Sequence, residues 1–335
     1  MIKIGQIGMG HNHGAAKLQT LRKFPELFEI VGYAPESEQW LEKRGHLPAY
    51  EGLRRMTAEE VIAASDAVLV ETEISLLTPT AQRCIEAGKH VLMDKPAGGN
   101  LAQFRRLLDL AEEKGLVLQL GYMYRYNPAV KKCLELLDSG ELGEIYGVQA
   151  QMSAHDPTGY RKWLSQFPGG GMYIFGSHLL DLVIRILGKP TAVHSFYTHT
   201  GMDEVDQPDQ GLAVLEYPKA MAQIYTSAVE VNGFGRRQLV VSGSKGTVSI
   251  LPLERPTCMT WSDRTIATKV HSHMMVEIPV EDLPAECRYD EEVRSFHDYV
   301  TGVAENPWTY EHNYAVQEVL TQIVGGEYHG VGAES

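Results

Sequence analysis

The sequence predicts an α/β protein in two parts. An N-terminal doubly wound parallel sheet is followed by an α+β region built on one large open sheet, mainly antiparallel or mixed. Three observations carry that reading. Short apolar runs alternate with helix-length amphipathic segments over the first third of the chain, and a glycine-rich turn follows the first run. From Thr191 onward the pattern becomes strand after strand joined by short turns. A length of 335 residues also favours two domains over one core.

The elements follow in order. Ile2–Ile7, Phe28–Ala34, Ala67–Val70, His90–Met93 and Leu116–Leu120 are short, apolar and β-branched, as strands buried on both faces of a parallel sheet must be. Helices fill the gaps. Thr57 with Glu60 has capping-box spacing. Thr78-Pro79 reads as an N-cap with proline at the first helical position, and Gly88 ends that helix. Asn100 opens LAQFRRLLDLAEEK, whose Leu101, Phe104, Leu107, Leu108 and Ala111 share one face, and Gly115 stops it. Strands alternating with helices at these lengths form right-handed βαβ units. The first domain is placed at residues 1–121 and the second at 122–335. In the second, Pro128–Leu137 and Ser177–Leu187 read as helices. The strands are AVHSFYTH, GLAVLEY, AMAQIYTSAVEV, RQLVVSG, TVSIL, TIATKVHSH and MVEIPV, with helices returning at Asp290–Val300 and Tyr310–Ile323.

Composition narrows the partners. A formal net charge of -13 without a Lys/Arg run argues against nucleic acid or an anionic membrane surface. No apolar run approaches the ~18 residues of a membrane span. Four scattered cysteines fit free thiols in a reducing compartment, and the segment after Met1 lacks a signal-peptide pattern. The expected location is cytoplasmic and the expected partner a small-molecule substrate.

The turn Gly8-Met9-Gly10-His11-Asn12-His13-Gly14 lies between the first strand and a helix. There the helix N-terminus offers unpaired N–H groups and a positive dipole end to a diphosphate. Gly8 permits the tight turn and Gly10 the close approach, whereas His13 stands where a third fingerprint glycine is usual. In this βαβ context the turn predicts a dinucleotide-binding Rossmann domain. Its cofactor-binding set is Gly8, Met9, Gly10, His11, Asn12, His13, Glu36, Glu71, Thr72 and Tyr122. His11 and His13 also form an H-x-H pair. No Cys, Asp or Glu stands near them in sequence, so no metal is expected and the histidines are given to backbone or phosphate. At the end of the second strand Pro35 takes the place of the expected acid, with Glu36 next. No Arg or Lys stands close by to neutralise a 2′-phosphate. The expected cofactor is NAD, with NADP left open.

The segment Ala87–Pro96, AGKHVLMDKP, together with the glycine turn, resembles the Gfo/Idh/MocA oxidoreductases, the family of glucose–fructose oxidoreductase and inositol dehydrogenase. The usual A-G-K-H-V-x-x-E-K-P has Asp94 here in place of Glu. GYMYRYNP (121–128), the glycines 169–171 followed by GSHLLDL (176–182), and SGSKGT (242–247) match further family segments in order. The resemblance implies hydride transfer between a nicotinamide and an alcohol or hemiacetal carbon of a sugar or cyclitol. It makes Lys95 the reactive lysine, beside a cis Lys95–Pro96 bond, and His178 the second proton-transfer or substrate group. Asp94 takes the ribose hydroxyls. Asp181 either orients His178 or pairs with Arg185, and Arg125, next to Tyr124, ties domains together or meets substrate. It also implies a homodimer or homotetramer formed through the C-terminal sheet.

One departure stands out. Where the family pattern places an aspartate four residues before the histidine, this chain has Ile174. His155, Asp156, Tyr160, Arg161 and Trp163 are the candidates to compensate. Two other functions on the same fold remain open: a glycosidase or lyase that cycles bound NAD, and a non-catalytic cofactor-sensing protein.

Overall fold

The computed structural model describes residues 1–205 and 207–330. The chain divides into two compact units. The first holds Met1–Met123, Ala285–Tyr314 and Glu327–Ser335, and the second Tyr124–Pro284 and Ala315–Gly326. The first crossing lies between Met123 and Tyr124, and the chain returns to the first unit after Pro284.

In the first unit β1 (Ile2–Ile7), α1 (Gly14–Leu21), β2 (Phe28–Ala34), α2 (Glu38–Arg44), α3 (Ala58–Ala64), β3 (Ala67–Val70), α4 (Ile74–Glu86), β4 (His90–Met93), α5 (Leu101–Glu113) and β5 (Leu118–Leu120) follow one another. The strands form one parallel sheet in the order β2-β1-β3-β4-β5. The order reverses beside β1, which is where open α/β sheets present a binding crevice at their carboxyl ends. Four strands match expectation residue for residue, and β5 begins two residues late. The capping box at Thr57 and Glu60 is formed, and Asn100 caps α5 by accepting the Gln103 N–H at 2.7 Å. The helix expected to open at Thr78-Pro79 instead begins at Ile74, with Pro79 inside it. Thr78 is no cap; its hydroxyl donates to the Ala97 carbonyl.

The second unit contains α6 (Pro128–Asp138), β6 (Ile145–Ser153), α7 (Thr158–Leu164), α8 (Ser177–Leu187), β7 (Ala192–Thr198), β8 (Gln210–Glu216), β9 (Met221–Ser227), β10 (Gln238–Gly243), β11 (Gly246–Ile250), β12 (Cys258–Asp263) and β13 (Val276–Pro279). Its eight-stranded sheet runs β13-β12-β11-β10-β6-β9-β8-β7. All pairs are antiparallel except β6 with β9, so the sheet is mixed. Two strands escaped the sequence reading: the central β6, and β12. The run TIATKVHSH is not a strand; β12 before it carries the ladder. Its β-branched residues suit a strand, but they are largely exposed and give the sheet no buried face.

α9 (Asp290–Thr301) then rejoins the first unit, and α10 (Tyr310–Val324) closes the regular structure. Val293 and Phe296 of α9 are fully buried in one cluster with Ile4 of β1 and Leu18 and Leu21 of α1. Among the described residues no helix is long and apolar enough to cross a membrane.

Candidate functional site

The glycine turn at the end of β1 is held by steric need. Gly8 has φ +94°, and a Cβ there would sit 2.3 Å from the Thr72 amide nitrogen. A Cβ on Gly10 would sit 2.3 Å from Glu36 Oε1. The Glu36 carboxylate accepts the N–H groups of Met9 (2.6 Å), Gly10 (2.7 Å) and Glu73 (3.2 Å). Burial lifts its carboxyl above the usual value, while those three donors pull the other way. Glu36 thus stands at the turn. An arginine, however, does reach the same turn. Arg44 of α2 donates to the carbonyls of Met9 and His11, and at 2.7 Å to Asn12 Oδ1. The fold brings it there from 33 residues beyond His11.

α1 begins behind His13 with no side-chain cap on its first N–H groups. An uncapped helix start beside a tight glycine turn suits a diphosphate, and an acid at the end of β2 suits a ribose. The residues present therefore fit a dinucleotide.

Beneath the turn lies a buried ionic cluster that the sequence did not disclose. Lys17 of α1 is fully buried, with Nζ 2.9 Å from Asp94 Oδ2, 3.0 Å from Glu292 Oε1 and 3.5 Å from Glu71 Oε1. Burial alone would lower the Lys17 pKa; Asp94, Glu292 and Glu71 together outweigh it and hold the ammonium well above its ordinary value. Burial pushes Glu71 well up, with Asp94 adding to the rise. Burial also acts to raise Asp94, but His11, Lys17 and His13 overcome it and keep the carboxylate well below the usual range. Gly121 leaves room for this cluster, since a Cβ there would meet Lys17 Nζ at 2.3 Å.

Both histidines of the turn join the cluster. His13 Nδ1 lies 3.1 Å and His11 Nδ1 3.2 Å from Asp94 Oδ2. Burial drives the His13 imidazole down to about 3 against the pull of Asp94. The acid absent from the neighbouring sequence is thus supplied by β4, and the H-x-H pair does have a carboxylate partner. Asp94 faces inward and is fully buried, its Oδ1 accepting the Lys95 N–H at 2.7 Å. Lys95 follows at the end of β4, 2% exposed, with a cis bond to Pro96. Tyr122 and Thr72 are buried in the same unit, and Thr72 donates to the Glu73 carbonyl.

In the second unit His178 and Asp181 lie on α8 behind a π-helical turn, Met172–Gly176, that carries the buried Ile174. Such turns are frequent at functional sites. Asp181 accepts Arg125 Nε at 3.0 Å and Nη2 at 2.6 Å, a buried bidentate pair within this unit. The alternative partner Arg185 bonds Asp138 instead. Arg125 therefore ties the turn after Met123 to α8, both inside the second unit. The His178 ring meets the Tyr124 ring edge-on at 5.3 Å, and the Tyr124 hydroxyl donates to Glu254 Oε2 at 2.6 Å. Glu254 also pairs with the buried Arg237 at 2.8 Å. Of the compensating candidates, Trp163 packs on Tyr160 (5.1 Å) and His155 is exposed. Asp156 is half-buried; burial pushes its carboxyl up to about 6 against Arg237, Arg161 and His155.

Sequence reasoning missed Lys17, Glu292, Arg44, Glu254 and Arg237. One signal was present: Gly14, Lys17, Leu18 and Leu21 recur at helical spacing, which puts Lys17 in the apolar stripe of α1.

Comparison with known proteins adds the following. The family model described as the oxidoreductase family with NAD-binding Rossmann fold matches residues 2–122, and the GFO/IDH/MocA C-terminal domain matches residues 130–249. A dTDP-3,4-didehydro-2,6-dideoxy-alpha-D-glucose 3-reductase of Streptomyces violaceoruber is 33% identical over 132 residues, 38% of either chain. The scyllo-inositol 2-dehydrogenase (NADP(+)) IolW of Bacillus subtilis is 28% identical over 51% of this chain and 48% of its own. The chain thus spans about half or less of the length of these curated relatives. Among solved structures, UDP-N-acetylglucosamine 3-dehydrogenase GnnA from Acidithiobacillus ferrooxidans shares the fold, with TM-score 0.79 at 18% identity over 97% of both chains.

Proposed function

The chain belongs to the Gfo/Idh/MocA oxidoreductase family, and from that premise we propose that it is a nicotinamide-dependent dehydrogenase or reductase. Its substrate class is a small polyhydroxylated molecule, a sugar, cyclitol or related compound, oxidised or reduced at a CH–OH carbon. The observation that carries this reading is the uncapped start of α1 beside the sterically enforced Gly8–Gly10 turn, with Lys95 at the end of β4 in the same unit. The relatives named for reduction or oxidation of a sugar nucleotide and an inositol support the substrate class.

When bound, the nicotinamide supplies the hydride acceptor or donor. The chain's own residues do the rest. Gly8, Gly10 and the first N–H groups of α1 receive the diphosphate, and Glu36 receives the adenosine ribose. Lys95 Nζ takes the substrate hydroxyl proton in oxidation and returns it in reduction, and the His178 ring assists as the second proton-handling group. Asp94, engaged by Lys17 and both histidines, keeps the strand end that carries Lys95 fixed. The coenzyme is NAD rather than NADP, because the Glu36 carboxylate repels a 2′-phosphate and Arg44 is committed to turn carbonyls. Copies associate through the outer sheet face, where the exposed Phe196 forms a row with Leu212 and Tyr225 and the exposed Met221 lies further along the same strand as Tyr225.

The test is a titration with NADH and NADPH, followed by nicotinamide absorbance across a sugar and polyol panel. NADH binding at least ~10-fold tighter, a difference of about 1.4 kcal/mol, with substrate-dependent reduction of NAD is expected. Lys95→Ala should abolish turnover and leave NADH affinity within a few-fold. Turnover surviving in that variant defeats the assignment.

A further inference from the structure

His11, His13 and Asp94 bring three ligand atoms together, all within 4.8 Å of one another. Nδ1 of each imidazole lies 3.1–3.2 Å from the same carboxylate oxygen. That spacing suits three ligands of one ion with bonds of roughly 2.0–2.2 Å in tetrahedral geometry. His11 Nε2 donates to the Lys95 carbonyl at 3.1 Å, and Nδ1, which accepts the His13 N–H at 3.3 Å, lies on the side of the ring that faces the cluster. A metal-ligating histidine is typically oriented in this way, its other nitrogen donating to a backbone carbonyl.

Charge points the same way. Three fully buried carboxylates, Glu71, Asp94 and Glu292, gather within 3.5 Å of one buried ammonium, Lys17. Buried carboxylates in excess of their cation are costly, and a divalent cation beside the histidines offsets them. Glu71 Oε2, 3.5 Å from His11 Nδ1, stands next to the point where the ion would lie. His13, 22% exposed, gives the path from solvent.

We propose that His11, His13 and Asp94 form a binding site for a divalent first-row transition ion of the zinc type, with Glu71 beside it as a further carboxylate. Two imidazoles and a carboxylate form a ligand set that suits zinc, iron or manganese and leaves one position open. The site needs no coenzyme, so its test is independent of the function proposed above.

The full-length protein, stripped with chelator and then dialysed against Zn2+, should retain one ion per chain by elemental analysis. Co2+ in its place should give the visible absorption of a four-coordinate nitrogen–oxygen site. His11→Gln, His13→Gln and Asp94→Asn should each weaken Zn2+ binding at least tenfold with unchanged circular dichroism. Two further histidines, His271 and His273, form an exposed H-x-H elsewhere. The His271→Ala/His273→Ala variant serves as control and should retain the ion. No ion above background, or one lost only in that control, overturns the proposal and leaves the cluster balanced by protons. If Asp94→Asn fails to fold, the two histidine variants decide.

Discussion

Lys17 of α1 and Asp94 of β4 meet at 2.9 Å, with neither side chain exposed to solvent. Their contact fastens the helix that opens the glycine turn to the strand end that carries Lys95. Replacing the ammonium by Lys17→Met leaves Asp94, Glu292 and Glu71 without their cation. The expected loss is about 3–5 kcal/mol, the cost of removing one partner from a buried ion pair. Denaturant unfolding measures it, and a loss below ~1 kcal/mol would mean that the cluster is solvated.

Gly8 and Gly52 separate backbone strain from steric conflict. Both have positive φ, but a Cβ on Gly52 meets open space, whereas one on Gly8 meets Thr72 at 2.3 Å. Gly52→Ala should cost about 1–2 kcal/mol through the left-handed backbone alone and leave coenzyme affinity unchanged. Gly8→Ala should cost more and weaken NADH binding by at least ~10-fold, about 1.4 kcal/mol. Thermal melts and fluorescence titration read the two effects. Equal behaviour of the two variants would refute the role given to the turn.

The Arg125–Asp181 pair lends itself to a double-mutant cycle. Arg125→Met or Asp181→Leu alone strands a buried charge and should cost about 3–5 kcal/mol. The double variant should recover most of that loss, because no unpaired charge then remains. Additive losses would show that each residue is held chiefly by other contacts.

Asp156 gives stability a pH dependence of known sign. Its carboxyl titrates at about 6 in the folded chain, above the ordinary aspartate value. Between the two values the folded chain keeps a proton that the unfolded chain has released. Its contribution is therefore most favourable on the acid side and declines as pH rises through about 6. Asp156→Asn should melt higher than the parent protein at neutral pH, and the gap should close on acidification. A gap independent of pH removes the inference.

Much of the fold was legible because local chemistry decided it. The parallel strands are mostly apolar and bounded by turn signals, so β1 to β4 emerge at their true limits. β6 was hidden because Gly147, Gln149 and Gln151 interrupt its apolar residues, although alternation is what a strand with one open face requires. Pro79 misled because proline ordinarily opens a helix, whereas here the helix continues around it. The placement of Gly8 at the turn after β1 and of Lys95 at the end of β4 was readable from motif and position. Glu292 was not: it joins Lys17 from α9, and no local pattern carries a contact of that range.

The return of α9 to the first unit has a consequence for how the protein is made. Lys17 leaves the ribosome roughly 275 residues before Glu292, which at about 5–20 residues per second is a delay on the order of tens of seconds. Throughout that interval the nascent coenzyme domain lacks both a carboxylate of its buried cluster and the Val293 and Phe296 side chains of its core. A sheet that emerges before the second unit is thus completed only after it. A chain cut after Met123 would hold all five strands of the parallel sheet and still be an incomplete domain.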